Sequence, residues 1–308
     1  MLGYTTPAPH AVPGMMTMKI ALITPVPAQS RQGNRVTALR WARILKALGH
    51  QVRLTQHYDD KPYDLMVALH ARRSFAAIAR FHHLYPGRPL LVALTGTDLY
   101  GDIQTSQEAQ QSLEFASHLI LLQPKGMEEL PAHLHPKARV IYQSVPPPSR
   151  VWPKAKTSFD VCVLGHLRAV KDPFRTALAA RLLPAASRIR VLHVGKALSD
   201  DMATCAGAEM AENPRYHWLG ELPRWRALRV LARSHLLVLS SLSEGGANAI
   251  SEALAMQVPI VASRIPGSIG LLGETYPGYF PVQDTAALSH LLHRAETDTT
   301  FYASLAAW

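Results

Sequence analysis

The chain has 308 residues, 48% of them hydrophobic, and a formal net charge of +10 from 32 Lys/Arg against 22 Asp/Glu. That length suits two domains, each able to bury its own core. No apolar run reaches the ~18 residues of a membrane span, and the two cysteines, Cys162 and Cys205, support neither a disulfide framework nor a metal site.

Met1–Thr17 is rich in Pro and small residues, with neither a basic start nor an apolar core. It reads as an upstream extension rather than a secretory signal, and with the sparse cysteines this sets the expectation of a cytoplasmic protein. Met18 opens the patterned part. Lys19–Thr24 reads as a strand and Val36–Leu48 as a helix stopped by Gly49. Gln51–Thr55 and Leu65–Leu69 are further strands, Ala71–Tyr85 a helix, and Leu90–Thr95 and His118–Leu122 continue the series. Repeated β-then-α units imply a parallel sheet covered on both faces.

The series breaks at Ser144–Pro148 and Arg150–Lys156, which lack apolar periodicity and read as a semi-rigid connector. A second set begins at Phe159–Leu164 and continues through Ile189–Val194, Tyr216–Leu219, Leu236–Leu239 and Pro259–Ala262. Helical patterns at Pro173–Leu183, Arg224–Ala232 and Asn248–Met256 separate them. The expected organisation is α/β, with Rossmann-like domains at 18–148 and 149–308 facing a central cleft. Ligands in such sheets bind outside the carboxyl ends of the strands.

The positive charge is uneven: residues 18–150 carry 16 Lys/Arg against 9 Asp/Glu. Such an excess attracts phosphorylated small molecules, nucleic acid or anionic lipid. No basic run is interleaved with aromatics, so nucleic acid is not expected, and a plainly solvated basic surface stays open as a reading.

Two loops carry the chemistry. Ser240–Asn248 follows an apolar strand and opens a helix. Gly245 and Gly246 there can take positive φ and admit a ligand to the backbone, beside the amides of Ala247 and Asn248. Glu244 projects from the loop, and Glu252 lies one turn beyond Asn248, suited to the two hydroxyls of a ribose. Taken alone the pair means little, since Glu is favoured early in helices and Asn248 could be a cap. The second loop, Gly165–Pro173, follows Phe159–Leu164. Gly165 permits a tight turn, and Arg168 and Lys171 are spaced to meet a diphosphate leaving group.

Gly165, Arg168 and Lys171 with Glu244 and Glu252 resemble the donor site of glycosyltransferase family 4 and its GT-B relatives. The resemblance implies that Arg168 and Lys171 grip a nucleotide diphosphate, Glu252 holds the ribose, Glu244 contacts the transferred sugar and Leu219 lies beside the base. It also implies that Gly33, ahead of the first helix, reaches the donor phosphate. Thr95-Gly96-Thr97-Asp98 resembles the family's His-Gly-Thr-Asp segment, with Thr95 where an imidazole often stands.

The acceptor side offers Asn34, Arg35, His70, Arg72, Arg73 and Thr95–Asp98. Asp98 is the one placed carboxylate there, and it could simply cap the following turn. No general base stands out, which suits a nucleophile already anionic at neutral pH. The segments Thr24–Arg43, Leu69–Phe75, Leu94–Asp102 and Glu244–Glu252 further resemble selenosugar-forming transferases. That likeness implies selenophosphate as acceptor and a UDP-sugar, with UDP-N-acetylglucosamine expected, as donor. The rivals are a transferase with a hydroxyl acceptor and a non-catalytic nucleotide-sugar sensor. With no Asp-x-Asp triplet, no metal or further cofactor is expected. No Gly-x-Gly-x-x-Gly follows the first strand, which disfavours a dinucleotide.

Overall fold

The computed structural model describes residues 16–30, 32–148 and 150–308; the proposed upstream extension lies outside them except for Met16 and Thr17. The chain divides into two compact units between Tyr142 and Gln143.

The first unit runs β1 (Lys19–Ile23), α1 (Gly33–Ala47), β2 (Gln51–Thr55), β3 (Leu65–Leu69), α2 (Phe75–Leu84) and β4 (Leu90–Leu94). A wide helical turn at Asp98–Asp102 leads into α3 (Ile103–Thr105), α4 (Gln107–Phe115), β5 (His118–Leu121) and β6 (Ala138–Val140). The six strands form one parallel sheet ordered β2-β1-β3-β4-β5-β6. Its apolar strands are those of a sheet buried on both faces. Along β1, Ile20 and Leu22 pack with Ala38 and Ala42 of α1, while Ala21 and Ile23 join the cluster of Ile78, Phe81 and Leu113 from α2 and α4. The period of two thus sends alternate residues to opposite helical layers.

The second unit contains β7 (Phe159–Leu164), α5 (Arg175–Arg181), β8 (Ile189–Val194), α6 (Asp200–Glu212), β9 (Tyr216–Trp218), α7 (Arg224–Arg233) and β10 (Leu236–Leu239). It continues with α8 (Asn248–Ala255), β11 (Ile260–Ser263), α9 (Pro266–Leu272), β12 (Tyr279–Phe280), α10 (Thr285–Thr297) and α11 (Thr299–Ala306). This sheet is also parallel, ordered β12-β11-β10-β7-β8-β9. Strand order reverses between β7 and β10, the topological switch where doubly wound sheets bind ligands. Ser199, Asp284 and Asp298 cap α6, α10 and α11 by accepting from backbone N–H groups of the first turns.

Both units are therefore Rossmann-like. Some boundaries differ from the sequence reading. Helix α1 begins at Gly33 rather than Val36, because Gln32 stands in extended backbone and the first turn closes from there. Helix α2 begins at Phe75 rather than Ala71, because the Asp98 carboxylate holds the Ala71 amide outside the helix. Among the described residues, no helix is long and apolar enough to cross a membrane.

Candidate functional site

In the second unit the carboxyl ends of β7, β8 and β9 are locked side by side. Gly165 donates its N–H to the Val194 carbonyl at 3.0 Å, and Gly195 donates to the Gly220 carbonyl at 2.9 Å. A Cβ on Gly195 would stand 1.9 Å from the Gly165 carbonyl oxygen, so only glycine fits. His193 lies beneath. Its Nε2 is 3.1 Å from the Gly165 carbonyl, which can only accept, so Nε2 carries the proton and Nδ1 accepts from the Tyr216 hydroxyl at 2.9 Å. Burial pushes His193 down to about 4, which keeps the ring neutral and the Gly165 turn anchored. Leu219 follows β9, its N–H bonded to the His193 carbonyl at 2.8 Å and its side chain partly exposed.

The loop after β7 is tied to the end of β10. Ser240 Oγ donates to the carbonyls of Lys171 and Asp172 at 3.2 and 2.9 Å, and the Leu242 amide donates to the Val170 carbonyl at 2.9 Å. These ties bring Lys171 Nζ onto Glu244 Oε1 as an ion pair. Ser241 Oγ donates to the same oxygen at 2.6 Å. Gly267 lets α9 close behind, since a Cβ there would lie 1.9 Å from the Glu244 carbonyl oxygen. Arg168, half-buried on the same loop, has no side-chain partner among the described residues. The structure therefore joins Lys171 to Glu244 and leaves Arg168 outside that pair.

Glu252 on α8 is 3% exposed, and its Oε1 is 2.7 Å from Arg224 Nη1 at the start of α7. One expectation and one alternative reading need correction here. Gly245 and Gly246 are not among the positive-φ residues, so they do not reverse the chain; the loop runs into α8 through extended Ala247. Asn248 is not the cap either. Ala247 holds that position without a side-chain bond, and Asn248 is the first helical residue.

In the first unit, Gly33, Asn34 and Arg35 form the first turn of α1, and Arg35 Nε is buried with no hydrogen bond among the described residues. The end of β3 is more elaborate. His70 is 1% exposed and sits at φ 75°, the left-handed region that non-glycine residues rarely occupy. Thr97 Oγ1 lies 3.1 Å from its Nε2, and the Arg73 N–H donates to its Nδ1 at 3.3 Å. Burial lowers its affinity for a proton, the Arg73 and Arg72 charges act in the same direction, and Asp98 and Asp102 oppose them.

Asp98 is completely buried. It accepts from the amides of Thr95 at 2.8 Å, Gly96 at 2.9 Å and Ala71 at 3.0 Å, with the Thr95 hydroxyl at 3.3 Å. It staples the loop after β4 to the loop after β3. Arg72 and Arg73, expected to face an acceptor, are both exposed, and Arg72 also pairs with Asp102 at 2.9 Å.

Sequence reasoning missed His193, Gly195, Arg224, Gly267 and Asp102. A signal existed for Gly195: an apolar strand ending in glycine, as at Gly165. Arg224 and Glu252 are remote in sequence, and only the α7–α8 packing joins them. Cys162 is buried with its thiol pushed up to about 12, inert as a nucleophile.

The family model described as glycosyl transferases group 1 matches residues 148–307. A Xenopus tropicalis protein, glycosyltransferase 1 domain-containing protein 1, is 26% identical over 285 residues, covering 83% of this chain and 81% of its own. Among solved structures, Anabaena HepE in complex with UDP and glucose superposes with a TM-score of 0.72 at 16% identity, covering 94% of this chain and 93% of that one. Sucrose-phosphate synthase from Thermosynechococcus elongatus gives a TM-score of 0.71 at 16% identity, covering 94% and 92%. Both share the fold of this chain.

Proposed function

The chain belongs to the group 1 glycosyl transferases, and on that premise we propose that it is a selenosugar synthase, moving a sugar from a UDP-sugar onto selenophosphate. UDP-N-acetylglucosamine is the expected donor. The observation that carries the donor half is the meeting of the Lys171 and Glu244 loops at the β7/β10 switch, with Arg168 on the same loop and Glu252 one turn into α8. Arg168 and Lys171 would neutralise the departing diphosphate, Glu252 would hold the ribose, and Glu244 would contact the transferred sugar. Gly165, Gly245 and Gly246 would let the ligand approach the backbone, and Leu219 would lie beside the base. The UDP held by HepE supports a uridine donor here.

In this reading residues 149–308 bind the donor and residues 18–148 the acceptor. Selenium of selenophosphate attacks the anomeric carbon, the carbon–oxygen bond to the diphosphate breaks, and UDP leaves with the electron pair. Water then cleaves the P–Se bond, releasing phosphate and the selenosugar. An anionic nucleophile is supported by Asp98, whose buried carboxylate is engaged by three backbone amides and has no role left as a base. Cytoplasmic chemistry fits the unpaired thiols of Cys162 and Cys205.

The rival, a hydroxyl acceptor, fits family membership equally well and would draw on Asp102, the carboxylate beside His70 that Arg72 holds. Incubating the protein with UDP-sugars, with and without selenophosphate, and following UDP release separates the two. Selenophosphate-dependent release supports the proposal; release that responds only to hydroxyl acceptors overturns it.

A further inference from the structure

The polar groups at the carboxyl edge of the first sheet have a consistent sense. The Arg73 amide donates to His70 Nδ1, so that nitrogen holds no proton, and the neutral ring carries its proton on Nε2. Nε2 faces Thr97 Oγ1 at 3.1 Å, with Asp102 Oδ2 at 3.8 Å on the same side. Thr97 therefore accepts from His70. Its own proton is left to be donated outward, because the residue is exposed.

Most of the neighbouring acceptors are already engaged, and Asp102 Oδ2, which has no hydrogen-bond partner among the described residues, is buried. Asp98 is filled by the amides of Thr95, Gly96 and Ala71, the Thr95 hydroxyl is directed at Asp98, and the His70 carbonyl accepts from the Ser74 amide at 3.1 Å. Asp102 is held by Arg72. The Arg73 guanidinium is exposed, and its charge reaches His70. Strand β3 lies at the reversal of this sheet's order, between β1 and β4, where such sheets collect ligands. The left-handed backbone at His70 is a conformation retained against strain, and here it places the imidazole under Thr97.

We propose that Thr97 is the hydroxyl that binds a phosphoryl-type oxyanion at this edge, and that His70 is the residue that fixes it as a donor. A phosphoryl oxygen only accepts, so it suits an edge that presents a directed hydroxyl and carries the exposed Arg73 side chain. Assigning this oxyanion to the acceptor rests on the transferase reading above. The site itself does not.

The test uses the full-length protein saturated with UDP and titrates inorganic phosphate and thiophosphate by calorimetry, with methyl phosphate as a third probe. Thr97→Val should weaken phosphate binding about 10- to 100-fold, while Thr97→Ser keeps it, and UDP affinity should be unchanged in both. Asparagine tolerates the left-handed backbone but is too short to reach Thr97, so His70→Asn should cost about three- to tenfold; His70→Gln, which retains a donor at the Nε2 position, should restore binding. Equal phosphate affinity in wild type and Thr97→Val, or no phosphate binding by the wild type, overturns the inference. The outcomes are separable from the proposed reaction. Phosphate lost on Thr97→Val in a protein that ignores selenophosphate leaves this site standing and removes only the selenium chemistry.

Discussion

Lys171 and Glu244, 73 residues apart in the chain, meet as an ion pair in the second unit, and Ser241 Oγ donates to the same carboxylate oxygen at 2.6 Å. The pair is mostly shielded from water, so each partner sets the position of the other. In the proposed reading, a donor diphosphate arriving at Lys171 must share or break this contact. Charge-assisted hydrogen bonds are worth roughly 1.5–3 kcal/mol, so Arg168→Ala and Lys171→Ala should each lower kcat/KM about 10- to 150-fold. Lys171→Ala and Glu244→Ala should be non-additive, the double variant losing less than the product of the single losses, whereas Arg168→Ala should combine nearly additively with Glu244→Ala. Steady-state kinetics of the three single and two double variants decide this; additivity at Lys171–Glu244 contradicts the paired geometry.

Arg224 and Glu252 make a second test. Glu252→Ala should weaken UDP binding about tenfold or more. Arg224→Ala should weaken it less, by loosening the carboxylate it orients. If Glu252 holds the ribose, Glu252→Ala should discriminate little between UDP and 2′,3′-dideoxy-UDP, while wild type prefers UDP. Calorimetric titration of both nucleotides reads this, and an undiminished preference in Glu252→Ala contradicts the assignment.

The histidines predict an acid-sensitive fold. His193 binds its proton near pH 4 when folded and near 6.5 when unfolded. Between these values the unfolded chain holds the extra proton, so stability rises with pH across about 4 to 6.5 and is lost as pH falls through that window. The full swing is on the order of 3 kcal/mol. His70, also depressed, adds in the same direction. Thermal melts from pH 7.5 to 4.5 should show this loss, and His193→Gln should flatten the slope. A wild-type slope unchanged by His193→Gln contradicts the buried neutral imidazole.

Asp98→Asn is a stability experiment. The amide replaces an acceptor oxygen with an NH2 facing backbone donors, and about 1.5–3 kcal/mol of folding stability should go. Denaturant midpoints measure it. A variant as stable as wild type contradicts the staple, and a variant that folds below its melting point should retain turnover if no proton has to be removed from the acceptor.

The β/α alternation and most strand limits were legible in the sequence because parallel strands buried on both faces are short unbroken apolar runs, as at Phe159–Leu164 and Ile189–Val194. Two-residue β12 leaves no such trace, and the small, weakly amphipathic residues of α6 conceal a helix. The two loops assigned to the donor were readable because glycines and charges fall directly after apolar strands. Their partners were not. Glu252 finds Arg224, and Gly165 finds His193, across elements that only packing brings together. Asp98 was visible as a carboxylate but not as a three-amide staple, since its role depends on the Ala71 amide after another strand.

If Arg168, Lys171 and the backbone amides neutralise the departing diphosphate as proposed, the reaction needs no metal. Turnover should survive EDTA in full. A complete loss reversed by added Mg would contradict this leaving-group scheme.

The most direct measurement of the central claim is the mass of the sugar product formed from UDP-N-acetylglucosamine and selenophosphate, read with UDP release in the same reaction. The account predicts a product bearing the selenium isotope pattern, equimolar with UDP, formed about tenfold or more slowly by Arg168→Ala and by Glu252→Ala at limiting donor. UDP released only with a hydroxyl acceptor, and a product mass containing no selenium, would contradict it.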